Sequence, residues 1–444
     1  MKIYLQLLHG FCISLSKATI KSINLTNFFI IMKRKFTFLV LTFAFCATIA
    51  LQANDYVMLS PLDTTALPTI PNKDYGGNLV RSALDGNTMW QNTLKKLQRQ
   101  QFSNESIYKV MTKLYRYTHK HYVSFPVAYW TTDPQGDSLL VSGRVYLPKR
   151  RYLNGIVIAN HYTMTSDIEV PSNMISMESV FTMKGYAVIL PDYIGYGLSR
   201  DEVHPYLHWR SAAQTAVDLL NCLPALLTHY GYSYSSDVII TGYSQGGAVA
   251  LGVARMIEEM QYESETDWTI RKLYAGAGPY DPAATYLYSL ERDTMGIPAA
   301  IPLIVMGLSD AYDLDFKLEE FFREPLLSHY DEWVLSKEFA VGEINQLMGS
   351  IVMSELMNPN VLDLEEPLAK KLYEVLLWNS NVGYNLQCPA YFLHSLDDEV
   401  VPLINTENLM KEMPDSSYIS YDIKHYGSHM AASVPFMQHV YHDL

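Results

Sequence analysis

The segment Gly242-Tyr243-Ser244-Gln245-Gly246 sets one hydroxyl between two glycines, directly after the apolar run 237–241 and directly before a helix-forming stretch that opens at Gly247. A serine at such a strand-to-helix corner is pushed out above the sheet, and glycines two residues to either side remove side chains that would collide in so sharp a turn. The helix start offers unpaired backbone N–H groups and the positive end of a helix dipole, both suited to a developing oxyanion. The chemistry this permits is nucleophilic attack. A plain helix N-cap is the non-chemical alternative for Ser244.

A serine hydroxyl must lose its proton to a base as it attacks, and the base must be oriented by an acid. On a strand-turn-helix scaffold of this kind, acid and base follow the serine in that order, each after a late strand. The stretch "AYFLHSLDDEVVP" (390–402) places Asp397, Asp398 and Glu399 after an apolar run. In "YDIKHYGSHMAASVPF" (421–436), a strand beginning near Ser416 runs out into a Gly-Ser turn, and His429 opens the final helix. His425 competes with His429 for the role of base. Both segments end on the C-terminal edge of the sheet, where open α/β sheets carry their sites.

The elements that must position these groups are legible from Gly155 onwards. Short apolar runs, "GIVIANH" (155–161), "YAVILPDY" (186–193), "DVIITGYS" (237–244), "KLYAGAG" (272–278), "AYFLHS" (390–395) and "SYISYDI" (417–423), alternate with helical stretches. Continuous Val/Ile/Leu runs mean strands buried on both faces, hence a mostly parallel sheet flanked by helices. Ahead of them, strand-like runs at 122–132 and 139–148 flank the turn signal "DPQGD", and a helical pattern covers Asn87 to His121. A helix from Ser211 to Tyr230 carries Pro224, which should bend it, and ends at Gly231.

Residues 282–386 break the alternation and read as a helical insertion over the active end of the sheet. Within them "IPAAIPLIVMGL" (297–308) is too short to span a bilayer; it is either a lid surface facing apolar substrates or the insertion's own core. The chain therefore divides into 1–53 (extension and signal segment), 54–121 (lead-in and helix), 122–281 (core, first part), 282–386 (helical cap) and 387–444 (core, second part).

Met32-Lys33-Arg34-Lys35 followed by apolar Phe36 to Leu51 has the form of a signal peptide, with small residues allowing cleavage after Ala50 or Ala53; an uncleaved anchor is the alternative. The expectation is export, with no stable membrane span after cleavage. Removing 1–53 takes six basic and no acidic residues, leaving 27 basic against 46 acidic. That balance repels nucleic acid and anionic membrane surfaces. Cys222 and Cys388 then remain, expected as buried thiols rather than a bridge. Neither a metal-ligand motif nor a phosphate or dinucleotide fingerprint appears, so no metal and no cofactor is expected.

With these residues in place, the chain resembles an α/β-hydrolase from about Val123 to the C-terminus, the insertion excepted. The superfamily's acid segment H-G-x-x-D-x-x-V-P falls on His394 to Pro402, with Ser395 in place of the glycine. The resemblance implies Asp398 as the acid, with Asp397 its nearest rival, and His429 as the base. "LPDYIGYGLSRDEVHPYLH" (190–208), "AGAGPYD" (275–281) and the large insertion are similar to the secretory lipase and lipase A group. There, Asp192 and Tyr193 would support a loop, and Tyr206 and His208 would edge the cleft. Cutinases share G-Y-S-Q-G but are shorter and lack the insertion.

The oxyanion hole departs from the common pattern. Gln245 N–H is the expected first donor. The second commonly follows a His-Gly pair, but here the loop reads His161-Tyr162, so the expected donor is the backbone N–H of Tyr162 or Thr163, with the Tyr162 hydroxyl a possible aid and His161 a structural loop residue. The expected activity is hydrolysis of carboxylic esters, on small molecules or attached to lipid or polysaccharide, through a Ser-His-Asp triad and an acyl-enzyme. A serine peptidase of the same fold and a non-catalytic binding protein are the alternatives, because fold alone does not decide between them.

Overall fold

The computed structural model describes residues 56–59, 121–414 and 416–444. The expected signal segment and, up to residue 120, the helix expected from Asn87 lie outside the described residues. Nine strands form one sheet: β1 (Val57–Met58), β2 (Tyr122–Thr132), β3 (Ser138–Pro148), β4 (Ile156–Asn160), β5 (Ala187–Pro191), β6 (Asp237–Tyr243), β7 (Thr269–Gly276), β8 (Ala390–Ser395) and β9 (Ile419–Lys424). Their spatial order is β1-β2-β3-β5-β4-β6-β7-β8-β9. Pairings are parallel except where β3 meets β2 and β5.

Among the described residues the eight main helices are α1 (Trp209–His229), α2 (Gln245–Tyr262), α3 (Pro282–Arg292), α4 (Ala300–Ala311), α5 (Val341–Met348), α6 (Pro367–Trp378), α7 (Ile404–Glu412) and α8 (His429–Asp443). Alternate residues of each central strand feed opposite layers. Ile156, Ile158, Val238 and Ile240 pack with α1 and α2, whereas Val157, Ala159 and Ile239 pack with Ala432, Phe436 and Val440 of α8. Burial on both faces explains why these strands read as unbroken apolar runs, and each buried Val or Ile is worth about 1.5–3 kcal/mol.

Element boundaries differ from expectation in several places, and β7, expected at 272–278, runs Thr269–Gly276. Strand β9 begins at Ile419 rather than near Ser416, because Ser416 and Ile419 close a turn on each other, Ser416 N–H donating to the Ile419 carbonyl (2.9 Å) and Ile419 N–H to Ser416 Oγ (3.1 Å). Helix α1 begins two residues before Ser211, at Trp209, and Pro224 lies inside it. In the β2–β3 hairpin, Asp133 Oδ1 accepts from the N–H groups of Gln135 (3.0 Å) and Asp137 (2.8 Å), which is the turn that "DPQGD" signals.

Between β7 and β8 the chain builds α3 to α6 and several short helical turns around a separate core of Leu303, Leu308, Phe321, Phe322, Leu372 and Val375. Helix α4 serves both roles foreseen for it: Ile301 and Val305 belong to this core and also line the cleft below it. Cys222 and Cys388 are buried free thiols. Among the described residues no helix is long and apolar enough to cross a membrane.

Candidate active site

Strand β6 delivers Ser244 to the C-terminal edge of the sheet, where φ 60° and ψ −127° take the chain from strand to helix in one residue. A positive φ is strained for any residue with a Cβ. It is held here by Ser244 N–H donating to the Gly276 carbonyl (2.9 Å) and by Gly247 N–H donating to the Ser244 carbonyl (2.8 Å). The flanking glycines are required by close approach: a Cβ on Gly242 would strike the Gly246 carbonyl, and one on Gly246 would strike the Asn160 carbonyl. Gly246→Ala is therefore expected to cost about 3 kcal/mol or more of unfolding free energy. Urea denaturation checks this, and a cost under 1 kcal/mol would show that the β4 end yields easily.

Helix α8 supplies the imidazole. Ser428 caps the helix by accepting from Ala431 N–H, and His429 N–H donates to Glu399 Oε2 at 2.9 Å. The ring is buried and spans the gap between the other two groups. Its Nε2 lies 2.9 Å from Ser244 Oγ, and its Nδ1 lies 2.7 Å from Asp398 Oδ2. Because a carboxylate only accepts, Nδ1 carries the proton and Nε2 is left to accept from the serine hydroxyl. Such a chain can take a proton from Ser244 and balance the resulting imidazolium.

Asp398 is fixed from both sides. Its side chain is 1% exposed, and Oδ1 accepts from the N–H groups of Val400 (2.9 Å) and Val401 (2.8 Å). Behind it sits buried His394, whose Nε2–H donates to the Val401 carbonyl (3.0 Å) while Nδ1 accepts from the Thr406 hydroxyl (2.6 Å). Burial lowers the His394 pKa despite the nearby Asp398 charge. Asp397 and His425 are placed elsewhere: they pair with each other at 2.8 Å on the surface, with side chains 44% and 74% exposed. Ser395, standing where the superfamily segment has glycine, is fully buried; its hydroxyl donates to the Gly427 carbonyl (2.6 Å) and accepts from Tyr426 N–H (3.1 Å), joining the acid loop to the base loop.

On the other flank, Gln245 opens α2, so its N–H has no acceptor within the helix. Thr163 lines the cleft together with Ser244. Tyr162 is not among the residues lining that cleft; it packs against Met164, Val170 and Tyr196. Buried His161 contacts the carbonyls of Tyr162 (2.7 Å) and Asp192 (3.1 Å), and burial depresses its pKa to about 4, which fits a structural loop histidine. Asp192 is also fully buried, accepting from the Ser142 hydroxyl (2.6 Å) and Ser172 N–H (2.8 Å). His208 does not edge the cleft as expected. It turns toward Ser211 and the Tyr312 ring because α1 starts beside it.

The cleft next to Ser244 holds about 80 Å³, several times the roughly 10–15 Å³ one water needs. Its walls come from α3, α4 and α6 of the insertion and from Val400 and Val401, with Met295, Met353 and Met357 among them. Thr163, Tyr206, Thr285, Tyr286 and Ser289 are the hydroxyl-bearing residues of the lining besides Ser244, the rest is apolar, and no Asp, Glu, Lys or Arg takes part. Sequence reasoning placed His394, Ser395 and Glu399 in the acid segment but missed their supporting contacts, of which those of Ser395 and Glu399 join loops distant in sequence.

No protein-family model matches the chain, and no curated protein matches its sequence. Solved structures do. The rice cell wall degrading esterase LipA from Xanthomonas oryzae is 20% identical, with a TM-score of 0.60 over 72% of this chain and 88% of that one. A putative hydrolase from Legionella pneumophila is 20% identical, with a TM-score of 0.64 over 77% of this chain and 94% of that one. Candida antarctica lipase A is 17% identical, with a TM-score of 0.53 over 69% and 73% of the two chains. Together with the sheet order, these likenesses show an α/β-hydrolase fold carrying a helical insertion ahead of β8.

Proposed function

We propose that this chain is an exported serine hydrolase that cleaves carboxylic esters with an apolar acyl or aryl part. The observation that carries the reading is one imidazole bridging the Ser244 hydroxyl and the Asp398 carboxylate beside a cleft without charged side chains. In the reaction, His429 takes the Ser244 proton as Oγ attacks the carbonyl carbon, and Asp398 holds the imidazole in the Nδ1–H tautomer. The tetrahedral oxyanion is met by the N–H groups of Gln245 and Thr163. His429 then protonates the leaving alcohol, and water enters by the same route to release the acid.

The same groups can cleave amides, but a peptidase that reads a substrate ammonium needs a carboxylate in the cleft, and the walls here offer none. The likeness to an esterase and a lipase supports the same choice. A lipid-linked or polysaccharide-linked ester is within the reading. Export rests on the basic and then apolar segment 32–51, and cell fractionation tests it.

Apolar walls predict a chain-length dependence. Each methylene buried is worth about 0.8 kcal/mol, so kcat/KM for p-nitrophenyl esters is expected to rise about threefold to fourfold per methylene from acetate until the cleft is full. A flat series, or faster cleavage of aminoacyl p-nitroanilides than of esters, would overturn the ester reading.

A further inference from the structure

The two backbone donors assigned above stand on loops far apart in sequence, and one short strap touches both. Residues 204–206 form a turn closed by Tyr206 N–H donating to the His204 carbonyl (2.7 Å). His204 Nδ1–H donates to the Ile194 carbonyl at 2.7 Å, so its Nε2 is a bare acceptor, and Gln245 Nε2 donates to it at 3.1 Å. Two residues on, the Tyr206 hydroxyl shares a 2.6 Å hydrogen bond with Thr163 Oγ1. His204, Tyr206, Thr163 and Gln245 are all buried. The rings of Tyr193, Tyr196 and Tyr206 surround the imidazole, and burial holds its pKa down to about 3, so it stays a neutral acceptor.

The strap is also pinned from the insertion. Gly307 of α4 lies so close that a Cβ there would sit 2.7 Å from Tyr206 N and closer still to the His204 carbonyl oxygen. Gly195 makes the same approach from the other side, 2.6 Å from His204 Cα.

We propose that His204 and Tyr206 are positioning residues that set the two flanks of the oxyanion site, and that they couple that site to the cap through α4. The proposal rests on the ester-hydrolase reading. Its content is geometric: neither side chain takes part in bond making, and each aims a peptide N–H through its neighbour's side chain. Misplacing such donors loses transition-state stabilisation while ground-state binding stays as it was.

The test uses the full exported chain and two readouts, kinetics on p-nitrophenyl butyrate and inhibition by phenylboronic acid, whose serine adduct is tetrahedral and anionic. Tyr206→Phe keeps the ring and removes the bond to Thr163. It is expected to lower kcat by about tenfold to hundredfold with KM within about twofold, and to weaken the boronic acid by a similar factor. Thr163→Val should do the same, and the double variant should lose no more than either alone. Gly307→Ala, which presses a methyl group on the strap backbone from the cap side, should reproduce the split in kcat against KM, together with a lowered thermal unfolding temperature.

If Tyr206→Phe instead raises KM and leaves kcat and boronic acid affinity unchanged, the hydroxyl only shapes the cleft and the proposal falls. Additive losses in the double variant overturn it too. A wild type that neither turns over the ester nor reacts with a fluorophosphonate would remove the ester-hydrolase reading itself, whereas active wild type with silent strap variants removes this inference alone.

Discussion

Ser244→Ala is expected to reduce kcat on p-nitrophenyl esters by about 10⁶-fold, close to the full catalytic contribution of a triad acting as a unit. The size follows from the geometry. Oγ lies 2.9 Å from His429 Nε2, and the strained turn holds it there. The variant removes one oxygen from a position whose backbone is already fixed by Gly276 and Gly247, so folding should be unaffected. Steady-state kinetics with active-site titration is the measurement. Fluorophosphonate labelling, followed by mass, should place the adduct on Ser244 in the wild type and vanish in the variant. Activity retained within tenfold, or an adduct on another residue, would end the serine mechanism.

Asp398→Asn is expected to lower kcat by about 10⁴-fold with little change in KM. An amide oxygen at the Oδ1 position still accepts from Val400 and Val401 N–H. The NH₂ then faces His429 Nδ1, which can meet a donor only by giving up its own proton. The ring is driven into the tautomer that carries hydrogen on Nε2, facing the serine, where it cannot act as base. Asp397→Asn provides the contrast. It breaks a surface pair with His425, worth about 0–1 kcal/mol, so kcat/KM should move by no more than about threefold. Equal losses at the two positions would show that the acid had been assigned to the wrong neighbour.

The reach of the sequence is visible in which residues these variants touch. The central strands were legible because burial on both faces leaves unbroken Val/Ile/Leu runs, and the serine corner because its glycines have no other reason to cluster. The order of acid and base followed from the same edge of the sheet. What escaped detection rests on contacts between distant segments. Strand β1 is two residues long and exists through pairing with β2. His204 is 41 residues from Gln245, and Tyr206 is 43 from Thr163; no periodicity encodes a side chain reaching across a fold. The strand expected near Ser416 starts at Ile419, because the turn that Ser416 closes with Ile419 shows only in three dimensions. His208 was expected at the cleft from the segment around it, but the first turn of α1 carries it toward Tyr312.

The acid and the imidazole both come from the last stretch of chain, after the helical insertion, while the serine lies some 185 residues before its partner. A polypeptide emerging from its amino end therefore exposes the hydroxyl corner long before anything can activate it. Under the proposed mechanism the nascent molecule stays catalytically silent until the terminal helix docks, because His429 opens that helix and a truncation ahead of it would remove the base.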